Sequence, residues 1–484
     1  MLVAGLDIGT QGVRVLIANL SGRVLAEAES PFPREMTLPQ ASGAFEQDPR
    51  HWRKALVSAL REAIARLSAL GHSPEEIVAL SAAGTSGTLC LVDAAGEPAS
   101  PALMYSDPRA EVSAVRSCGT AWEEALGTQF GASFGLCKLV WVARHRPAWL
   151  EAARWILSPA DLALGWLSGI WGVSDWTNAL KMGYDVTARA WPAFIGQALG
   201  LPIEKLPRIY APGTPIGPVS AQAAAETGLS PHTLVALGAT DGNASQCASG
   251  AVSPGEWNST LGTTLVLKGV SSHLVRDPLG RVYCHLHPDG AFWLPGGASN
   301  TGGDALAQRF HPEAFQALNA AALERSPTDL IVYPLARKGE RFPFSAPEAQ
   351  GFIVGEPEDE VTLYTAHLEG LAYVERLAYE TVLALGAPVG GVIYATGGVT
   401  HSRAALQIRA DVLQRELAVP AVPSAAMGAA ILAARAAAYA SVREAAQAMV
   451  RIAERIAPRP EFAAPYAERY ALFVRACRER GYLR

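Results

Sequence analysis

Lysine is scarce in this chain: six occur among 484 residues, Lys54, Lys138, Lys181, Lys205, Lys268 and Lys338. Lys and Arg total 40 against 45 Asp and Glu, the formal net charge is −5, and no basic block interrupts the sequence. That balance argues against a nucleic-acid or anionic-membrane partner. Any phosphate would have to be held by backbone N–H groups, arginine and a divalent cation. Cysteine is also sparse. The six cysteines, at 90, 118, 137, 247, 284 and 477, form no CxxC and no framework spacing, so buried thiols in a reducing compartment are expected. Long apolar runs are missing: the longest, Ala425 to Ala434, is far short of the roughly 20 residues a bilayer span requires. The N-terminus has no positive region, and Asp7 breaks its apolar run, so it does not read as a signal peptide. A cytoplasmic protein with no membrane association is the expectation. Two nucleotide signatures are absent as well. No GxxxxGK[ST] occurs, which excludes a P-loop, and no GxGxxG follows a strand, which disfavours a dinucleotide enzyme. His285 and His287 lie two apart with no further Cys, His or Asp at ligand spacing, so they read as structural and a zinc site is rejected.

What is present is apolar and ordered. Half the residues are hydrophobic and 18% are charged, enough for a large core in two or three domains of roughly 150 residues each. The first fourteen residues are the most informative: an apolar run ends in Asp7, a Gly9-Thr10-Gln11-Gly12 turn follows, and a second apolar run begins before Arg14. This predicts a β-hairpin whose turn can hold phosphate oxygens. Asp7 at the strand end can hold Mg²⁺, which takes hard oxygen ligands. An ordinary Asp-x-Gly-Thr hairpin turn is the plain alternative.

Residues 2–30 read as three strands, and 49–70 as a helix with Trp52, Leu56, Leu60, Ile64 and Leu67 at helical spacing. Further helices are expected over 108–126, 138–152, 160–168 and 190–199. Leu234–Ala239 reads as a buried strand ending at Thr240-Asp241-Gly242-Asn243. The order of elements then starts again: Glu256–Thr260, a Leu261-Gly262-Thr263-Thr264 turn, a strand to Gly269, a hairpin around Pro288-Asp289-Gly290, and a helix after the Gly296–Gly303 loop. A long helix over Val361–Leu385, a short strand ending at Thr396-Gly397-Gly398 and a helix from Ser402 to Leu417 follow. Ala425–Ala438 reads as a tightly packed core helix, and the last 40 residues as a terminal helical cap. Two related α/β lobes with a cleft between them are inferred, 1–254 and 255–484.

Each of the four strand-end turns, at Asp7, Thr240-Asp241, Gly262-Thr263 and Gly397-Gly398, is alone most often a simple turn or cap. Together with LDIGTQGVR, SDPRA, GATDGNASQCASGAVSPGEWNSTLGTT, GGASNTGGDAL and YATGGVTHS, their order resembles the FGGY carbohydrate kinases over nearly the whole chain. The resemblance implies two ribonuclease-H-like lobes of the sugar-kinase, Hsp70 and actin superfamily, ATP with Mg²⁺, and phosphoryl transfer to a sugar hydroxyl. It implies an N-terminal lobe carrying sugar and catalytic groups and a C-terminal lobe carrying adenosine. Asp241 is the implied general base, and with Asp7 it would hold the metal. Thr10, Gln11 and Arg14 would face the transferring phosphoryl group. Gly262, Thr263 and Gly302 would form a second phosphate turn. Gly397 and Gly398 would admit adenosine close to the backbone, and Ser402 would touch base or ribose or simply cap its helix. The sugar would be gripped by Thr85, Ser86 and Gly87, by Ser106 and Asp107, and by Trp176 with Asn178. Core packing is the alternative for Trp176.

A ketopentose, D-ribulose or D-xylulose, is the expected substrate. Xylulose kinases usually carry Met-His-Gly where this chain has Ser86-Gly87-Thr88 and Trp-Asn-Asp where it has Tyr105-Ser106-Asp107, and GTSGTLCLVD followed by PALMYSD is closer to D-ribulose kinases. Glycerol kinases carry Arg-Glu in that loop, which this chain lacks. Family members are often dimers, so a homodimer is a candidate state. A sugar-independent nucleotide switch or sensor on the same fold is the competing reading.

Overall fold

The computed structural model describes residues 1–40 and 42–483. They form two compact units, each an α/β layer arrangement. The first comprises Met1–Ala248, His285–Ala291 and Val422–Val450; the second comprises Ser249–Cys284, Phe292–Ala421 and Arg451–Arg484.

In the first unit the strands are β1 (Leu2–Ile8), β2 (Gly12–Asn19), β3 (Val24–Pro31), β4 (Ile77–Gly84), β5 (Pro215–Pro218), β6 (Leu234–Ala236) and β7 (Ala239–Thr240). The sheet order is β5-β6-β4-β1-β2-β3, with β7 beside β4. The first three strands form an antiparallel meander, and β4 runs parallel to β1. Both β6 and β7 run parallel to β4. The near-continuous apolar composition of β1 and β4 matches strands buried on both faces. One face is covered by the helix Pro49–Ala69. Asp48 caps it by accepting from Arg50 N, Pro49 stands where no N–H is needed, and Trp52, Leu56, Leu60, Ile64 and Leu67 are buried.

The other face is covered by the Ala-rich helix Ala425–Ala437, which packs on β1 and β4. The approach is backbone to backbone. A Cβ on Gly5 would lie 1.8 Å from Ala426 O, and one on Gly428 would lie 1.9 Å from Ala244 O. The compact units therefore do not follow a single cut at 254/255: a helix late in the chain completes the first sheet.

In the second unit the strands are β8 (Trp257–Leu261), β9 (Leu265–Gly269), β10 (Val282–Leu286), β11 (Trp293–Ala298), β12 (Val392–Thr396), β13 (Glu416–Pro420) and β14 (Ile452–Ile456), ordered β10-β11-β9-β8-β12-β13-β14. Its centre repeats the first unit: an antiparallel β8–β9 hairpin beside parallel β12 and β13. Under the sheet a buried pair, Arg409 Nε to Glu375 Oε2 at 2.7 Å, also reaches Ser259 Oγ at 3.1 Å.

Several expected elements differ in extent. The helix expected to run to Leu417 ends at Leu413; Gln414 adopts φ +51°, and Glu416–Pro420 is a strand. Residues 138–152 are two helices, Gly135–His145 and Pro147–Ala152, parted at Arg146 just before a proline. Over 190–199 only Phe194–Gln197 is helical. The terminal segment supplies β14 as well as a helix, Ala463–Glu479. Among the described residues no helix is long and apolar enough to cross a membrane.

Candidate active site

The parallel strands of the first unit deliver its chemistry to one edge. Asp7 pairs in register with Ala83, Ile8 with Gly84, and Thr240 also with Gly84. The carboxyl ends of β1, β4 and β7 thus present Asp7, the Thr85–Thr88 loop and Asp241 side by side, the usual place for ligands in such sheets. Asp241 begins the helix Asp241–Ser249, and its Oδ1 accepts from Gly242 N at 2.7 Å. Asp7 is pushed up to about 6, first by burial and then by the negative charge of Asp241, with Arg14 pulling the other way. Two oxygen-donor carboxylates that raise one another's energy are a fitting cradle for a hard divalent cation.

The hairpin turn after Asp7 is held from behind. Gly9 N donates to Gly12 O at 3.0 Å. The buried Gln47 side chain donates to Thr10 O at 3.0 Å and accepts from Trp52 Nε1 at 2.8 Å. Thr10 and Gln11 are thereby left at the tip of a fixed turn. Arg14, across the hairpin from Asp7, is half-exposed and pairs with Glu29 at 3.2 Å.

The segments expected to grip the sugar separate into two groups. Ser86, Trp176 and Asn178 each carry a buried polar atom with no protein partner: Ser86 Oγ, Trp176 Nε1 and Asn178 Oδ1. Arg189 lies over the Trp176 ring at 5.7 Å. Thr85 Oγ1 instead bonds Thr88 Oγ1 at 2.7 Å, and Gly87 adopts φ +87° with its Cα against Ser133. Ser106 is exposed. Asp107 is fully enclosed, and its carboxylate accepts from Phe45 N, Arg109 N, Arg109 Nε and Arg109 Nη2 within 2.7–2.9 Å. Those four donors hold Asp107 below the usual carboxylate range, the Arg109 side chain contributing most against the opposing effect of burial. Asp107 therefore braces the loop here, with its acceptor sites already filled.

Two lysines stand at this site that local sequence rules do not place there. Lys181 Nζ donates to Ser86 O at 3.3 Å; burial lowers its pKa while Asp241 favours its charge. Lys138 is pushed down to about 8, chiefly by burial and then by Lys181, and donates to Tyr105 O and Ala132 O at 3.1 and 2.7 Å. Their rarity in an arginine-preferring chain was the available signal.

In the second unit β8 and β12 run parallel, with Thr260 opposite Thr396, and their hydroxyls are 2.7 Å apart. The turns that follow them, Gly262-Thr263 and Gly397-Gly398, therefore emerge together. Gly302 is buried beneath the first: a Cβ there would lie 2.3 Å from Thr263 O. Gly397 adopts φ +91°, and a Cβ would meet Leu261 O at 2.5 Å, whereas nothing lies within 4 Å of one on Gly398. Gly397→Ala is expected to strain the backbone by roughly 1–2 kcal/mol and to displace the Leu261 carbonyl; raised ATP KM with a lower Tm is the expected readout. Ser402 is an N-cap: its hydroxyl accepts from Ala405 N at 3.1 Å and donates to Asn319.

The N-terminal domain model of the FGGY family of carbohydrate kinases matches residues 2–248, and the C-terminal domain model matches 257–437. The chain belongs to the FGGY family of carbohydrate kinases. It is 30% identical over 439 residues to the xylulose kinase of Streptomyces rubiginosus, covering 89% of this chain and 86% of that one. The structure of a xylulose kinase from Rhodospirillum rubrum superposes with a TM-score of 0.86 at 28% identity, over 99% of both chains. That of a "xyloylose kinase" from Brucella ovis gives 0.87 at 26% identity, over 98% of both. As an FGGY kinase the chain is an enzyme that phosphorylates a small sugar with ATP, on two ribonuclease-H-like units.

Proposed function

We propose that this FGGY kinase phosphorylates a ketopentose, with Asp241 as general base. The observation that carries the reading is the set of buried polar atoms left without partners, Ser86 Oγ and Trp176 Nε1 foremost, on segments that flank Asp241. A buried donor or acceptor without a partner costs roughly 1–3 kcal/mol, and the hydroxyls of a small polyol would satisfy these. The Trp176 ring suits the C–H face of a sugar.

The roles follow from charge and placement. Asp241 accepts the proton of the attacking hydroxyl. The N–H groups of the Thr10-Gln11 turn would offer donors to phosphate oxygens; in the Gly262-Thr263 turn Gly262 N already donates to Thr264 O at 3.1 Å, which leaves the Thr263 N–H and hydroxyl for that role. Arg14 adds positive charge, and open space at Gly398 lets adenosine approach backbone. Asp7 and Asp241 are the residues that would hold Mg²⁺, since their mutual repulsion and oxygen donors suit it. When bound, Mg²⁺ would offset negative charge on the phosphate oxygens.

D-Ribulose is favoured over D-xylulose on one local ground. Xylulose kinases usually place histidine at the position of Gly87, and a Cβ there would lie 2.1 Å from Ser133 O on a backbone with φ +87°. Against it stands the xylulose kinase name of the relatives. Family membership leaves the nucleotide-switch alternative without support.

The test is ADP release with Mg-ATP against D-ribulose, D-xylulose, L-ribulose, L-xylulose, erythritol, glycerol and no sugar. A ketopentose well above the no-sugar rate is the expected result. A flat panel, or a preference for glycerol, would overturn the reading.

A further inference from the structure

Asp175 is the last residue of the strand Val173–Asp175, and the short helix Trp176–Ala179 follows it. Its carboxylate is fully buried and crowded with donors. Oδ1 accepts from Thr177 N at 2.7 Å, Thr177 Oγ1 at 2.6 Å and Asn178 N at 3.2 Å. Oδ2 accepts from Asn178 Nδ2 at 2.5 Å. The Thr177 hydroxyl hydrogen is therefore committed to Asp175, because a carboxylate can only accept. Its lone pairs face the other way, and Thr240 N donates to Thr177 Oγ1 at 2.9 Å. Thr240 is the residue before Asp241, and its own hydroxyl accepts from Asn243 Nδ2 at 2.7 Å. An unbroken path of hydrogen bonds runs from the buried Asp175 through Thr177 to the amide of Thr240, the residue before Asp241. The helix it crosses also bears Trp176 and Asn178.

We propose that Thr177 is a positioning residue: its hydroxyl, oriented by Asp175, fixes the backbone at Thr240 so that Asp241 stands in line with the hydroxyl bound beside Trp176. This rests on the reading of Asp241 as general base. The physical need is plain. Asp241 lies where β7, only two residues long, becomes a helix, so the sheet ladder constrains it weakly. Misplacement of a reacting group by about 1 Å can cost on the order of 100-fold in rate, and the Thr177 hydroxyl supplies a lateral restraint at that point. The same hydrogen bond makes the pocket wall and the base move as one piece.

The test compares Thr177→Val, which keeps the shape and loses the hydroxyl, with Thr177→Ser, which keeps the hydroxyl. Asp241→Ala is measured alongside with the sugar the wild type accepts. Thr177→Val is expected to lower kcat by about 10–100-fold with the KM of ATP and sugar within threefold, and Thr177→Ser is expected to restore at least half of the wild-type kcat. A Thr177→Val kcat within twofold of wild type would overturn the proposal. So would a Thr177→Ser variant as slow as Thr177→Val, since the methyl group would then be what matters. If Thr177→Val does not fold, Asp175→Asn takes its place. It unfixes the hydroxyl, and the same fall in kcat is expected, with some rise in sugar KM because Asp175 also holds Asn178; an unchanged kcat counts against the inference. Full activity in Asp241→Ala would remove the base assignment itself, whereas an inactive Asp241→Ala beside a fully active Thr177→Val would remove only the positioning role.

Discussion

Asp241→Ala is expected to lower kcat by about 10²–10⁴-fold, the range general-base assistance provides, with the KM of sugar and ATP changing by far less. Asp241 stands at the first turn of its helix and is only partly buried, so its truncation should leave the fold intact and the two readouts separable. It also stands beside both Asp7 and Lys181, whose titrations respond to its charge. Its loss should therefore bring the Asp7 carboxyl back toward the ordinary range. Steady-state kinetics with the best sugar of the panel reads the first effect. A mutant with more than a tenth of wild-type kcat would mean that another group takes the proton.

Asp7→Asn should show a second large effect, of opposite sign in stability and in activity. The Asp7 pKa is about 6 against an ordinary 3.8. A carboxylate whose folded pKa lies above its unfolded one binds more protons when folded. Stability is therefore greatest below the unfolded value and is lost as pH rises from about 4 through about 6. At 1.36 kcal/mol per pKa unit the loss is up to about 3 kcal/mol in the absence of a bound cation. The asparagine cannot ionise and escapes that loss. At pH 7.5, without Mg²⁺ or nucleotide, the mutant should melt a few degrees above the wild type, and the gap should close toward pH 4. Activity should fall sharply, and added Mg²⁺ should raise the wild-type Tm more than the mutant's. Equal melting temperatures at pH 7.5 would show that Asp7 carries no such strain. A site that is costly when empty is the expected signature of a charge cradle kept for function.

Much of this was legible because the decisive features are local. Asp7, its turn and β2 lie within one hairpin, and turn chemistry is written in adjacent residues. The Gly397-Gly398 pair reads from local rules too, though Gly397 turns out to serve its own close approach to Leu261, with Gly398 left open. What escaped depended on distance in sequence. Lys138 and Lys181 look like ordinary surface lysines until folding buries them beside Tyr105 and Ser86. Asp107, expected at the sugar, is bonded by the Arg109 fork and by Phe45 N. The partner was already visible in Ser-Asp-Pro-Arg, two residues on. Gln414 closes its helix in the left-handed region without being glycine, a stop that composition does not announce. Ser402 caps its helix, the local one of its two expected roles.

The Ala425–Ala437 helix has a consequence for biogenesis. Strands β1 and β4 emerge early from the ribosome, yet the helix that seals one face of them is among the last parts made. Until it arrives, a broad apolar surface of the nascent chain stays uncovered, and contacts of such long sequence separation form slowly. Gly5 and Gly428 make the final docking a fit of main chain on main chain, so no side-chain rearrangement can substitute for it. The N-terminal half would then acquire its native cooperativity only after the rest of the polypeptide has been synthesised, and chaperone dependence should track truncations that reach residue 437 more closely than those that spare it.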